Sequence, residues 1–304
     1  MATIKEVKTQ IENTNALGVA NLTEKGVEIS ETATTYEIMQ GIADISSGGG
    51  TEELEQLIDN SGVLDSTDGT TTEKVEQLIE KANKIDFSAY VTRARQLFYG
   101  ATTFPTKAVV NLPNATDVYQ AFTQWNTEPI PIVEELTVNA LNINVANSQT
   151  CMGQMFSYNL GVKKVILNMP NESQYMNSAF SSASNLEEVV LGFSTKNIKD
   201  YASSFANCKK LKKISGVLDF SSATSVNWMF SSCTDLNEVT FEPNTLSLSI
   251  SLANSSKLTS VSVQSIIDGL ATVEAAQTLT LNKAIVLTDE QKATINAKGW
   301  TLAQ

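Results

Sequence analysis

One aromatic side chain recurs through most of this 304-residue chain at nearly constant spacing. Phe98, Phe122, Phe156, Phe180, Phe205 and Phe230 stand 24, 34, 24, 25 and 25 residues apart, and Leu252 follows 22 residues later. A period of this length restricts the fold more than local propensity does, because a unit of about 25 residues cannot bury its apolar face alone and must stack on its neighbours. The flanks keep phase with the anchor. Six residues after it come Leu186, Leu211, Leu236 and Leu258, and nine after it come Val165, Val189, Ile214, Val239 and Val261. Eleven after it come Leu167, Leu191, Phe241 and Val263; four before it lie Met152, Met176, Tyr201 and Val226. The spacing predicts a solenoid over residues 87–264 in which each unit supplies one short strand. The 34-residue interval implies an inserted loop around Trp125 to Pro131, and the first rungs near Phe98 and Phe104 are degenerate.

Side chains alternate between the two faces of a strand, which predicts an exposed row at Lys164, Ile166, Glu188, Val190, Lys213, Ser215, Glu238, Thr240, Ser260 and Ser262. Trp125, in the inserted loop, is the tryptophan best placed for exposed contact, whereas Trp228 and Trp300 read as packing residues. Cys208 and Cys233 hold the same repeat position and would stack about 4.8 Å apart. That is within disulfide reach, although a reduced pair of small core residues fits cytoplasmic synthesis better.

Phe230-Ser-Ser-Cys-Thr-Asp-Leu-Asn-Glu-Val-Thr-Phe241 and Phe205-Ala-Asn-Cys-Lys-Lys-Leu-Lys-Lys-Ile214 resemble the BspA-like leucine-rich repeat of bacterial surface proteins. Leu218-Asp-Phe-Ser-Ser-Ala-Thr-Ser-Val-Asn-Trp-Met-Phe230 is similar to the 25-residue variant of that repeat. The resemblance covers roughly residues 90–264. It implies a leucine-rich-repeat solenoid whose exposed strand face binds proteins or glycans, as adhesive modules of cell surfaces do.

The remaining segments predict flanking elements, for an α+β chain overall. Over 265–304 a C-terminal αβ cap is expected. Ile266, Ile267 and Leu270 recur at helical spacing, 278–281 alternates like a strand, and Thr288 with Gln291 forms a capping box. A helix from about Asp289 to Ala297 then stops at Gly299, before a last strand at Trp300 to Ala303. At the other end, Thr3 with Glu6 and Thr34 with Glu37 fit the same capping box. Ile4, Val7 and Ile11 fall on one helix face and Ile38, Ile42 and Ile45 on another, which predicts a helical anchor over 1–50 that closes in a Gly-rich linker.

Residues 51–86 contain a duplication offset by 21 residues, or three heptads. Leu54, Leu57, Leu64, Val75, Leu78, Ala82 and Ile85 share one a/d frame. This fits either two amphipathic helices packed within one chain or a coiled-coil stalk in a homo-oligomer, with a trimer favoured. Helices of about 12–14 residues need packing partners in either case.

Charge separates these regions. Residues 1–50 carry seven acids and three bases, 51–86 carry ten and three, and 87–304 carry sixteen and fifteen. Eleven of the twelve excess negative charges therefore precede the repeats. The overall acidity argues against nucleic acid and anionic membrane as partners. The chain has no histidine and three scattered cysteines. Ser-His-Asp and Cys-His chemistry is thereby excluded, as is a four-thiolate zinc site, so neither catalytic residues nor a cofactor nor a metal is expected. The adjacent acids Glu134-Glu135 and Glu187-Glu188 point to opposite strand faces and cannot flank a sugar as a glycosidase pair does. Lys209, Lys210, Lys212 and Lys213 cluster in one repeat, as a solvated edge or an anionic-glycan contact.

The first residues lack an apolar run of signal-peptide length, and no stretch approaches a membrane span, so the expectation is cytoplasmic synthesis without secretion or membrane insertion. Residues 15–39 and 287–302 are similar to parts of virion proteins of gut bacteriophages. That resemblance implies a virion-surface fibre or decoration protein, held to other virion proteins through 1–50 and displaying its repeats to host surface protein or glycan. A bacterial surface adhesin and a purely structural decoration remain the alternatives.

Overall fold

The computed structural model describes residues 84–86, 93–101, 104–126, 128, 130–147 and 151–304. The chain divides into two compact units, 1–85 and 86–304. Ile4, Val7, Ile11, Ile38, Ile42 and Ile45 lie outside the described residues, and so do Leu54, Leu57, Leu64, Val75, Leu78 and Ala82. Ile85 departs from the helical heptad frame: it sits in a three-residue strand, β1 (Lys84–Asp86).

The repeat region is a solenoid of stacked parallel strands. β2 (Lys107–Asn111), β3 (Glu135–Asn139), β4 (Lys164–Asn168), β5 (Glu188–Leu191), β6 (Lys213–Leu218) and β7 (Glu238–Phe241) lie side by side in chain order. Their β-branched and leucine residues alternate with polar ones, so one face is buried. Ala108, Val110, Leu136, Val138, Val165, Leu167, Val189 and Val239 all point into the core. Consecutive rungs pair without slip from β2 to β5.

Behind the sheet the recurring phenylalanines stack ring on ring. Centroids from Phe98 through Phe122, Phe156, Phe180 and Phe205 to Phe230 are 5.0, 4.9, 5.3, 5.4 and 5.9 Å apart, with interplanar angles of 4–18°. This spacing follows the inter-strand distance, slightly stretched, and suits offset aromatic stacking. The side opposite the sheet has its own hydrogen-bond ladder. From Phe98 to Phe205 each anchor N–H donates to the next rung, as Phe122 does to the Met155 carbonyl at 2.9 Å and Phe180 to that of Ser204 at 2.8 Å. Two residues before and two after the anchor, the backbone turns left-handed: Gln96, Gln120, Gln154, Ser178, Ser203 and Trp228 precede it, and Gln124, Tyr158, Ser182, Asn207 and Ser232 follow it. Such φ values are uncommon outside glycine. Here the N–H groups of several of these residues, including Ser178, Ser203, Tyr158 and Asn207, are fixed by bonds to the next rung.

Three residues past the anchor, side chains reach back to the previous anchor's carbonyl. Trp125 Nε1 donates to Phe98 O at 2.6 Å, Asn159 Nδ2 to Phe122 O at 2.8 Å, and the thiols of Cys208 and Cys233 to Phe180 O and Phe205 O at 3.0 Å each. Cys208 and Cys233 are thus free, buried thiols. Trp125 is 1% exposed, with its ring 4.9 Å from Phe104, so the inserted loop buries its tryptophan. The expected exposed contact there is corrected: the indole packs against Phe104 and Phe122 and hydrogen-bonds the Phe98 carbonyl, so burial satisfies both its ring and its N–H.

The last unit exchanges the character of its two sides. At the anchor position the chain forms β8 (Ile250–Leu252), and where the next sheet strand would fall it forms a helix, α1 (Ser260–Gly269). Ser262 Oγ accepts from Val239 N–H and Ser265 Oγ from Phe241 N–H, both at 3.0 Å. The helix therefore satisfies the edge of β7 that would otherwise be open to another chain. Two strand-based expectations fail for this reason. Ser262 is buried in the helix, and Val261, expected inside, is 78% exposed. β9 (Gln277–Leu281), α2 (Asp289–Ala297) and β10 (Trp300–Ala303) complete the cap, with β10, β9 and β8 forming a second parallel sheet. Thr288 and Gln291 make the capping box of α2. Lys298 Nζ donates to the carbonyls of Ile267, Asp268 and Leu270 at the end of α1, where a cation suits the helix dipole.

Candidate functional site

The solvent-facing side of β2–β7 carries the strand-face residues in three columns. The first is an alternating charge ladder. Lys107 pairs in register with Glu135, Lys164 with Glu188, Glu188 with Lys213, and Lys213 with Glu238. Lys164 Nζ lies 2.9 Å from Glu135 and 3.7 Å from Glu188, and Lys213 Nζ lies 2.8 Å from Glu238. Just before the strands, Lys163–Glu134 and Lys212–Glu187 close at 2.6 Å each. The hydrogen-bonded carboxylates of Glu135, Glu187 and Glu238 raise the pKa of Lys164, Lys212 and Lys213 respectively. The adjacent acids and much of the basic cluster thus neutralise one another across rungs; Lys210 donates to Asn185 Oδ1. Identical charges in neighbouring rungs would repel at this spacing, so the alternation fixes which rungs may adjoin. We expect Lys164→Ala to destabilise the fold by no more than about 1–2 kcal/mol, less in molar salt, because these are half-exposed pairs. Urea denaturation at two salt concentrations checks this.

The third column is an asparagine ladder. Asn139 Nδ2 donates to Asn111 Oδ1 and Asn168 Nδ2 to Asn139 Oδ1, both at 2.6 Å. Between the ladders runs an uncharged row, Val109–Thr137–Ile166–Val190, in register from strand to strand, continued by Val217 and Thr240 on β6 and β7. Ile166 and Val190 are half-buried, and Val217 and Thr240 are exposed.

The row shifts at β6. Between Lys213 and Val217 the register slips against β7, so Ser215 and Gly216 form a bulge. Gly216 has φ +114°, a conformation that suits glycine alone. The bulge turns Val217 outward to 44% exposure and draws Ser215 toward Glu188, to which its hydroxyl donates at 3.1 Å.

Of the residues expected on this face, Lys164, Ile166, Glu188, Val190, Lys213, Ser215, Glu238 and Thr240 lie together on it. Ser260 is exposed, but at the start of α1 rather than on a strand, and Ser262 is buried. Strand alternation missed Val217 and Trp228. A signal for the first was present: Gly216 occupies the phase at which Leu167, Leu191 and Phe241 stand. Trp228 is 73% exposed with φ +55°, contrary to its expected packing role. Its column otherwise holds Gln96, Gln120, Gln154, Ser178 and Ser203, a polar series that marks a solvent-facing position. Trp300 is buried, and its Nε1 donates to Ala271 O at 2.8 Å.

Burial pushes the Cys233 thiol up to about 12 and the Cys208 thiol well above its usual value, so neither supplies a thiolate. Among the described residues, no group of three or more histidine, cysteine, aspartate or glutamate side chains could hold a metal ion, and no helix is long and apolar enough to cross a membrane.

The model of the BspA type leucine rich repeat region matches residues 152–273 in six copies. The rungs from Met152 into the cap are therefore similar in sequence to leucine-rich repeats of that type, which fits the observed solenoid. No curated protein and no solved structure matches the chain.

Proposed function

We propose that the chain is a non-enzymatic adhesion protein, and more specifically a virion-surface fibre or decoration protein. In this reading residues 1–50 attach it to other virion proteins and residues 51–86 form an oligomeric stalk. The repeats meet a host surface protein or glycan. The observation that carries the adhesive part is the uncharged row Thr137–Ile166–Val190–Val217–Thr240, left open to solvent while the charges beside it are spent on one another. An uncharged row with aliphatic side chains at Ile166, Val190 and Val217, flanked by paired charges, suits contact with a partner, and repeats of the BspA type suit a surface role. The virion placement is supported by the resemblance of residues 15–39 and 287–302 to phage virion proteins.

The full chain, fluorescently labelled, should bind host cells saturably, and Ile166→Glu/Val190→Glu should weaken that binding at least about tenfold at an unchanged melting temperature. Unaltered binding by the variant would remove the strand face from the adhesive reading. Detection of the protein at fixed copy number on gradient-purified particles supports the virion placement. Its recovery with the cell envelope alone would favour the bacterial adhesin, and particle association with no cell binding would favour a purely structural decoration.

A further inference from the structure

The strand face ends in a groove of about 510 Å³ between the bulge of β6 and helix α1. Its shape follows from the change of element at the cap. A helix is roughly 10 Å across, whereas the next strand would have lain about 4.8 Å away in the plane of the sheet. One wall is therefore α1, with Val261 at 78% exposure, and the other is Val217, which the Gly216 bulge pushes up to 44% exposure. Thr240, Glu242 and Asp268 also line it, and both acids are exposed. The volume is within the range of small-ligand sites.

The charge of this groove differs from that of the rest of the face. Along the ladder Glu134, Glu135, Glu187, Glu188 and Glu238 each have a lysine partner in a neighbouring rung. Among the described residues neither Glu242 nor Asp268 is in a salt bridge, and no lysine or arginine lines the groove. Asp268 accepts a neutral hydrogen bond from Gln264 at 2.8 Å. Lys298, the nearby base, has its ammonium on three backbone carbonyls and offsets the Asp268 charge only through space, without a salt bridge. Two exposed valines beside two carboxylates that form no salt bridge among the described residues are complementary to a group that is aliphatic along its stem and cationic at its head.

We propose that this groove binds a lysine or arginine side chain presented by a protein partner, its methylenes against Val217 and Val261 and its charge against Glu242 and Asp268. Long basic side chains bury their stems on apolar surface while the head stays with water and acids. An anionic glycan would be repelled here, and a neutral one would leave both carboxylates unmatched. The inference rests on the reading of the strand face as the contacting surface and names the chemistry its C-terminal end selects.

The test uses the full chain with methyl-labelled valines and two blocked peptides, Ac-GVRVG-NH2 and Ac-GVEVG-NH2. The arginine peptide should shift the Val217 and Val261 methyl resonances saturably and leave those of Val109, on β2, in place. Its affinity should fall at least about fivefold in Glu242→Gln/Asp268→Asn, and also on raising salt from about 50 to about 500 mM. The proposal is overturned if neither valine responds, if the glutamate peptide binds equally, or if the double variant binds as the parent does. A neutral oligosaccharide that moves these methyls while the peptide does not would overturn it too. Failure of host-cell adhesion with the arginine peptide still saturating would defeat the adhesive reading and leave the groove assigned; intact adhesion with a silent groove would do the reverse.

Discussion

Phe180→Ala is expected to lower the unfolding free energy by about 3–5 kcal/mol, the cost of opening a cavity in a packed aromatic core. The Phe180 ring is fully buried and sits 5.3 Å from Phe156 and 5.4 Å from Phe205, nearly parallel to both. Its removal therefore deprives two neighbours of a stacking face as well as leaving a void. A solenoid rung touches only the rungs beside it, so the damage has no distant element to share it. The effect should also appear as a broadened transition, in which the two halves of the stack unfold less cooperatively. Urea denaturation followed by near-ultraviolet circular dichroism measures both quantities. Phe180→Leu should recover most of the loss, since leucine serves as the anchor at position 252. A loss below about 1 kcal/mol for the alanine variant would mean that the stack contributes little beyond filling space.

Raising the pH above about 9 should destabilise the protein steeply. Burial pushes the Cys233 thiol up to about 12 and raises Cys208, Cys151 and the Tyr201 hydroxyl as well. Tyr201 is held neutral while its hydroxyl meets the carbonyls of Thr195 and Asp219 at 3.0 and 2.8 Å. The sign follows from proton binding. Above the ordinary thiol range the unfolded chain releases these protons and the folded chain retains them, so stability is complete below about pH 8.5 and falls as pH rises toward the folded values. Cys233 alone would account for about 4 kcal/mol lost by pH 12. Denaturation midpoints at pH 8 and pH 11 give the slope, and Cys233→Ala should flatten it, since Ala183 fills the equivalent place two rungs earlier in the stack. The same burial predicts that thiol reagents label the protein only once it unfolds. A midpoint independent of pH across this interval would show that the thiols are solvated in solution.

Much of the fold could be read in advance because repetition averages out local ambiguity. A single Leu-x-x-Val-x-Leu run is compatible with several structures, but rungs in phase allow only stacking, and Val165, Val189, Ile214 and Val239 all proved to face the core. The cap was legible for a different reason: capping-box residues and a left-handed glycine act locally, so α2 and β10 begin and end where Thr288 and Gly299 place them. The candidate surface was legible wherever strand alternation held. It failed at Ser262, where a helix replaced a strand, and at Gly216–Val217, where two extra residues buckled the chain. It also failed at Trp125 and Trp228, because exposure of a lone aromatic depends on which side of a rung it occupies.

The sequence by itself determined the period, the inward set of residues and the exclusion of histidine chemistry, since each is a property of residue type and spacing. It also determined that the acidity belongs to the first 86 residues, leaving the repeats almost neutral. Only the tertiary structure decided how the repeat charges cancel, because that depends on which lysine meets which glutamate across rungs some 25 residues apart. It also decided that eleven non-glycine residues turn left-handed beside the stacked anchors. Local propensity favours that conformation only at Asn207 among them; most are held by bonds between rungs, which exist only after the chain has wound back on itself. The groove beside α1 is of the same kind, made where a helix of one width meets a sheet of another.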